Sequence, residues 1–288
     1  MTRFSVIVPM REAEAFIDDC LGSVRRQTNT DFEVIVVDDD SPDTSGAIAD
    51  RHAREDGRIT VLHLESNHGV GLARNAGIAR ATGEYLLFLD ADDTFADKDF
   101  LAGLDVDLSA AGGPDVLIFG YEERRPCGLR RRVNPAASVL RSSWVSWNKA
   151  YRRESVAGLR FPPGFYEDFA WSVPAVLGAA QIAVSRRVGV GYRRCTTTSI
   201  SRRVTPRHFD VFDQFQRILE YLTTHPHHDS PEVRATLAAS ARTFLRSRTE
   251  RLRVIPPHLL DDFRRRSEEI TARIQGGPSW RPARRDVR

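Results

Sequence analysis

The sequence predicts an α/β protein with a mostly parallel central sheet, and two observations carry that expectation. Short β-branched runs alternate with amphipathic segments through residues 1–120, and acidic clusters fall where two of those runs end. Ser5–Val8 reads as the first strand, and Phe16, Ile17, Cys20, Leu21 and Val24 then recur at helical spacing. Glu33–Val37 is the second strand, closed by Asp38-Asp39-Asp40-Ser41, and Ala47, Ile48 and His52 mark a helix after Thr44-Ser45. Thr60–His63 is a third strand, with a helix through Leu72, Ala73, Ala76, Ile78 and Ala79. Tyr85–Leu89 runs into Asp90-Ala91-Asp92-Asp93, and Val116–Phe119 is a fifth strand. In an open α/β sheet ligands bind outside the carboxyl ends of the strands, so both acidic clusters are expected to line one crevice.

Past residue 120 the pattern changes. Residues 121–160 are arginine-rich and irregular, Phe161-Pro162-Pro163-Gly164 is a stop signal, and Tyr166-Glu167-Asp168 opens an apolar helical run through Trp171, Val173, Val176 and Leu177. Two short strands are expected at Ile182–Val184 and Val188–Tyr192, and helices at 207–223, 231–252 and 257–275, with a mobile tail after Gln275. This gives a first domain over 1–204, with halves at 1–120 and 121–204, and a C-terminal helical extension over 205–288.

The 288 residues are 41% hydrophobic and 9% aromatic, enough for a core and against disorder. A net charge of +3 conceals a split: 23 acidic against 10 basic side chains in 1–120, a net of −13, and 16 against 32 in 121–288, a net of +16. Only Lys98 and Lys149 are lysines, so part of the arginine excess reflects coding bias. No recognisable module or aromatic interleaving accompanies the arginines, which argues against nucleic acid. No apolar stretch approaches the roughly 20 residues of a membrane span. Cys20, Cys127 and Cys195 lack metal-ligand and disulfide-framework spacing, and Met1-Thr2-Arg3 leads directly into a strand, so a reducing cytoplasm is expected. The basic half leaves association with the inner face of a membrane open.

Several chemistries lose their support. Pro9-Met10-Arg11-Glu12 follows the first strand where a dinucleotide fingerprint would stand, Gly69-Val70-Gly71 lacks its third glycine, and neither a P-loop nor a Gly-x-Ser-x-Gly elbow is present. Asp90-Ala91-Asp92 is the best chemical clue, because two carboxylates at a strand end can present oxygens to one hard divalent cation. The spacing alone is common in turns; here it follows Tyr85-Leu86-Leu87-Phe88-Leu89, in the same expected crevice as a second acidic strand end.

Taken together, Ser5-Val6-Ile7-Val8-Pro9, the segment from Asp31 to Asp43, Asn67-His68-Gly69 with Ala73-Arg74-Asn75, Gly83-Glu84-Tyr85 running into Leu89-Asp90-Ala91-Asp92-Asp93, Trp147-Asn148-Lys149-Ala150-Tyr151 and Tyr166-Glu167-Asp168 resemble the family 2 glycosyltransferases. The resemblance covers roughly residues 4–200 and implies the GT-A fold, a Rossmann-like sheet flanked by helices. It implies an inverting enzyme that moves a hexose or N-acetylhexosamine from a nucleoside diphosphate donor, a UDP-sugar, to an acceptor hydroxyl. Carried over, Pro9 and Asp39 contact the nucleobase, Asp38 shapes the turn, and Asn67 and Arg74 meet the base or ribose-phosphate region. Asp90 and Ala91 face ribose or sugar, Asp92 binds Mn²⁺ or Mg²⁺, and Asp168 is the general base.

Two positions depart from the family pattern. Arg11 stands where an aromatic often stacks on the base, although a guanidinium can also stack, and Asp40 replaces a glycine, which a left-handed turn tolerates. Trp147, Lys149 and Glu167 are candidates for the acceptor or sugar side, with Trp147 open between an acceptor platform and the core, and Trp171 assigned to the core. His225, His227 and His228 read as a loop. The basic half leaves an anionic or membrane-associated acceptor open. The rival readings are a nucleotidyltransferase of related fold and a non-catalytic sugar-nucleotide-binding protein.

Overall fold

Phe4, Val6, Ile7, Val8 and Met10 point apolar side chains to both faces of β1 (Phe4–Met10), as a strand covered on both sides requires. In this computed structural model β1 lies between two parallel neighbours, β2 (Phe32–Asp38) and β4 (Tyr85–Phe88), and β3 (Ile59–His63) pairs parallel beyond β2. The crossovers are α1 (Ile17–Arg25), α2 (Ser45–Glu55) and α3 (Val70–Arg80). The described residues are 2–125, 127–128, 130–133, 144–194 and 202–276; Cys195 and the tail from 277 lie outside them. They form two compact units, Met1–Thr198 and Ser199–Arg288.

Beyond β4 the sheet turns antiparallel. β8 (Lys149–Arg152) pairs antiparallel with β4 and with β6 (Val116–Arg124). β9 (Ile182–Arg193) runs parallel to β6, and the short β5 (Thr94–Phe95) and β7 (Arg130–Val133) pair antiparallel with β9 and β6. The two strands expected at 182–184 and 188–192 are thus one, with register shifts opposite Gly120. Its polar middle, which reads as a break, is anchored instead: Ser185 Oγ and Arg187 bind the Asp107 carboxylate at 2.5 and 3.2 Å. The sequence reading also missed α4 (Phe100–Ala110), whose buried Phe100, Leu101, Leu104 and Leu108 face the sheet but whose apolar pattern is interrupted by Gly103 and two acidic residues. It treated 144–152 as irregular, although that stretch contains β8.

α5 (Glu167–Leu177) carries Trp171 into the core, where its ring stacks on Phe161 at 4.4 Å and meets Phe88 edge-on at 5.3 Å. In the second unit, α6 (Asp210–Thr224) buries Val211, Phe212, Phe215, Ile218, Leu219 and Leu222. α7 (Pro231–Arg246) starts where the Ser230 side chain accepts from the Val233 N–H at 3.3 Å, and α8 (Leu260–Ile274) completes the unit. His225, His227 and His228 lie at the short turn after α6, their rings against Tyr221 or one another. No helix among the described residues is long and apolar enough to cross a membrane.

Candidate active site

Parallel pairing places Met10 beside Asp38, so the chain leaves β1 and β2 at one edge of the sheet. There Asp38 shapes the turn: its Oδ1 accepts from the Ser41 N–H at 3.0 Å, and its Oδ2 meets His63 Nδ1 at 2.9 Å. Asp39 accepts the His68 and Gly69 N–H groups, one on each carboxylate oxygen, both at 2.7 Å. Asn67 Oδ1 accepts the same Gly69 N–H at 3.0 Å. Gly69 has φ +89°, where a side chain would be strained, and this conformation aims its N–H at the strand end. Asp40 adopts φ +56°, the left-handed conformation that its side chain tolerates. Arg11 donates through Nη1 to the carbonyls of Asp39, at 2.5 Å, and Asp40. The guanidinium therefore braces this turn from beside Pro9.

Arg74 is turned inward. Its residue is 2% exposed, and its guanidinium faces three carboxylates: Nη2 meets Asp90 at 2.8 Å, and Nη1 meets Glu167 at 2.5 Å and Asp168 at 3.0 Å. The centre of the Phe161 ring lies 5.3 Å from its Cζ. The reason is the close approach of α3 to the 161–167 segment. A Cβ at Gly71 would stand 2.7 Å from the Pro162 carbonyl and 2.9 Å from Glu167 Cγ, so only glycine lets Arg74 reach the cluster. Tyr166, at φ +64°, turns the chain so that Glu167 and Asp168 open α5, where the helix dipole favours acids.

Burial dominates the charges here. It pushes the Asp168 carboxyl up from its ordinary value while Arg74 opposes, and burial followed by Asp168 pushes Glu167 up to about 7. Asp168 Oδ1 accepts both from Arg74 and from Ser146 Oγ, the latter at 2.8 Å. Its Oδ2 makes no hydrogen bond among the described residues, and 17% of the side chain remains accessible.

The strand-end loop after β4 turns on the Asp93 N–H, which donates to the Asp90 carbonyl at 2.9 Å. Asp90 gives one oxygen to Arg74, Ala91 is buried and Asp92 is half-buried. Asp93 faces inward and accepts the Arg193 N–H at 2.6 Å. Burial, with Asp92 and Asp90 nearby, raises its carboxyl well above the ordinary range. Among the described residues no three His, Cys, Asp or Glu side chains gather as a metal cage. A divalent cation that keeps waters and substrate phosphates needs only one or two carboxylates, and Asp92 with Asp90 fits that requirement.

Lys149 and Glu167, candidates for the acceptor or sugar side, are both buried. Lys149 is fully buried, its Nζ donating to the Val145 carbonyl at 2.7 Å and Asn148 Oδ1 at 2.6 Å, and burial pulls its ammonium down to about 7 against the pull of Asp168. Glu167 is turned onto Arg74. Trp147 is 7% exposed and stacks on Tyr192 at 5.2 Å with Tyr121 edge-on at 4.8 Å, which places it in the core. The sequence reading missed Ser146. A serine carries no signal of its own; only its position between two tryptophans near the Trp147-Asn148-Lys149 stretch could have drawn attention to it.

A sheet whose first four paired strands run parallel, an acidic strand-end loop and a buried carboxylate cluster together define an α/β protein with its candidate site at the carboxyl ends of those strands. The chain matches the family model described as glycosyl transferase family 2 over residues 5–158, more than half its length, and it belongs to that family. The Bacillus subtilis (strain 168) protein named "Putative glycosyltransferase EpsH" is 34% identical over 176 residues, which is 55% of this chain and 50% of that protein. This chain therefore spans about half the length of that curated relative. Among solved structures, S. aureus TarS 1–349 in complex with UDP-GlcNAc aligns with a TM-score of 0.64 and 22% identity, covering 95% of this chain and 90% of that one. The mannosyltransferase PcManGT from Pyrobaculum calidifontis, in complex with GDP-Man and Mn²⁺, aligns at 0.55 and 17% identity, covering 93% and 86%. At these identities the likeness is one of fold, and that fold is GT-A.

Proposed function

We propose that this chain is an inverting glycosyltransferase, dependent on a divalent metal, which moves a sugar from a UDP-linked donor to an acceptor hydroxyl with Asp168 as the general base. The observation that carries the reading is the Asp168 carboxylate: one oxygen is held by Arg74 and Ser146, and the other is left without a hydrogen-bond partner among the described residues. Residues 1–204 are the catalytic domain, with 1–120 as its donor half and 121–204 as its acceptor half, and 205–288 is a helical extension. Pro9, Arg11, Asp39 and Asn67 form the turn that receives the nucleobase, and Asp90 and Ala91 border the ribose and sugar. Asp92 would hold Mg²⁺ or Mn²⁺, which supplies charge stabilisation for the departing diphosphate. TarS and PcManGT, solved with a UDP-sugar and with GDP-Man and Mn²⁺, support the donor class and the metal.

Asp168 Oδ2 accepts the proton of the acceptor hydroxyl as that oxygen attacks the anomeric carbon, and a single displacement inverts the configuration. Burial raises the proton affinity of the base, which suits it to accept a proton, and Arg74 opposes that rise. The net +16 of residues 121–288 favours an anionic acceptor. The test is transfer and donor hydrolysis from UDP-sugars by wild type and Asp168→Asn, with and without chelator. We expect Asp168→Asn to bind donor and lose transfer by about 10²–10⁴-fold. Wild-type-like transfer by that variant removes Asp168 from the base role, and turnover indifferent to chelation removes the metal.

A further inference from the structure

We infer that Ser146 is a positioning residue for the reaction: its hydroxyl, donated to Asp168 Oδ1, fixes which carboxylate oxygen faces the acceptor. The inference rests on the reading of Asp168 as the base. Ser146 is fully buried, and its Oγ lies 2.8 Å from Asp168 Oδ1, the same oxygen that Arg74 Nη1 reaches at 3.0 Å. Two donors on Oδ1 leave Oδ2 as the oxygen that can take a proton. Arg74 alone does not settle the choice, because its Nη1 is shared with Glu167 at 2.5 Å and its Nη2 is drawn to Asp90.

The turn that carries Ser146 is itself braced. Lys149 Nζ holds the Val145 carbonyl and Asn148 Oδ1, on either side of Ser146, and the Trp144 ring packs edge-on against Phe169, the residue after Asp168, at 4.6 Å. A buried serine on a turn braced in this way has its hydroxyl directed at Oδ1, which makes the bond a means of orientation. The charged and titratable groups facing Asp168 are Arg74 from α3, Asp90 from the loop after β4, Lys149 and Tyr151 from β8, and Glu167 from α5. Of the two donors on Oδ1, Ser146 alone is neutral, so deleting it changes hydrogen bonding without changing the charge count.

A hydrogen bond to the carboxylate favours its charged form, so removing it moves the acid limb of the pH–rate profile to higher pH. The experiment compares Ser146→Ala, Ser146→Thr and Asp168→Asn in the full chain, measuring kcat against pH, UDP-sugar affinity by calorimetry and thermal midpoint. Ser146→Ala is expected to lower kcat about tenfold, to leave donor affinity within about twofold, and to shift the acid limb upward by about half a pH unit. Ser146→Thr restores both. A normal acid limb in a folded Ser146→Ala, or a loss carried wholly by donor affinity, overturns the positioning role. If Asp168→Asn is inactive while Ser146→Ala behaves as wild type, this inference alone fails; if Asp168→Asn turns over normally, the base reading fails and takes this one with it.

Discussion

The carboxylates at the end of β2 and those around Arg74 are held in opposite ways. Asp38 and Asp39 are satisfied largely by backbone N–H groups, those of Ser41, His68 and Gly69, which the chain supplies wherever it makes the turn. Asp90, Glu167 and Asp168 share one buried guanidinium, so two segments far apart in sequence depend on a single side chain. The first arrangement distributes risk, because each amide is a separate partner. The second concentrates it, because removing the cation leaves three carboxylates facing one another with little water.

Arg74→Met carries the largest expected effect. Leaving a buried charge cluster without its partner costs about 3–5 kcal/mol, which urea unfolding will read directly. Arg74→Lys should recover only part of this, since a point-like ammonium cannot bridge as the planar guanidinium does. A loss below about 1 kcal/mol for Arg74→Met would show that the cluster protonates or rearranges without cost. The same logic applied to the other region predicts a smaller effect. Asp39→Ala leaves the His68 N–H without its acceptor, while the Gly69 N–H keeps Asn67 Oδ1, and should cost about 1–3 kcal/mol, with weakened UDP-sugar binding as a second readout.

A third measurement separates the regions by pH. Glu167 titrates at about 7 in the fold against an ordinary 4.5, so between those values the folded state binds more protons and stability falls as pH rises. Lys149 titrates at about 7 against an ordinary 10.5, so between those values the unfolded chain binds more protons and stability rises with pH. Together they contribute a minimum near neutral pH. Glu167→Gln should flatten its acidic side and Lys149→Met its alkaline side, in unfolding free energies measured from pH 5 to 10; unchanged slopes would mean that neither group is perturbed by burial. The smallest change is expected from Asp40→Gly. Relief of the left-handed backbone stabilises by up to about 1 kcal/mol, offset by the greater freedom of glycine when unfolded, and a thermal midpoint raised slightly or unchanged would fit.

This contrast also explains what could be read in advance. The β2 turn is encoded locally: Asp38-Asp39-Asp40 follows a β-branched run, Asn67-His68-Gly69 precedes a helix, and each residue type performs there what its chemistry favours. The Arg74 cluster is not local. Arg74 reads as one more cation near a nucleotide site until Gly71 is seen against Pro162, and Lys149 reads as a candidate for the acceptor or sugar side until β8 is seen between β4 and β6. β8 itself is four residues long and sits in an arginine-rich stretch, too short for periodicity to declare it.

The amino-acid sequence by itself determined the alternation of strands and helices, the acidic strand ends and the family, because these depend on side-chain period and on motifs confined to a few neighbouring residues. Only the tertiary structure decided that Arg74 binds carboxylates, that Lys149 is buried, and that Ser146 and Arg74 converge on one oxygen of Asp168. Those contacts join residues 16 to 94 positions apart. At such separations it is the packing of α3, β8 and α5 that decides which charges leave water, and no local pattern encodes that packing.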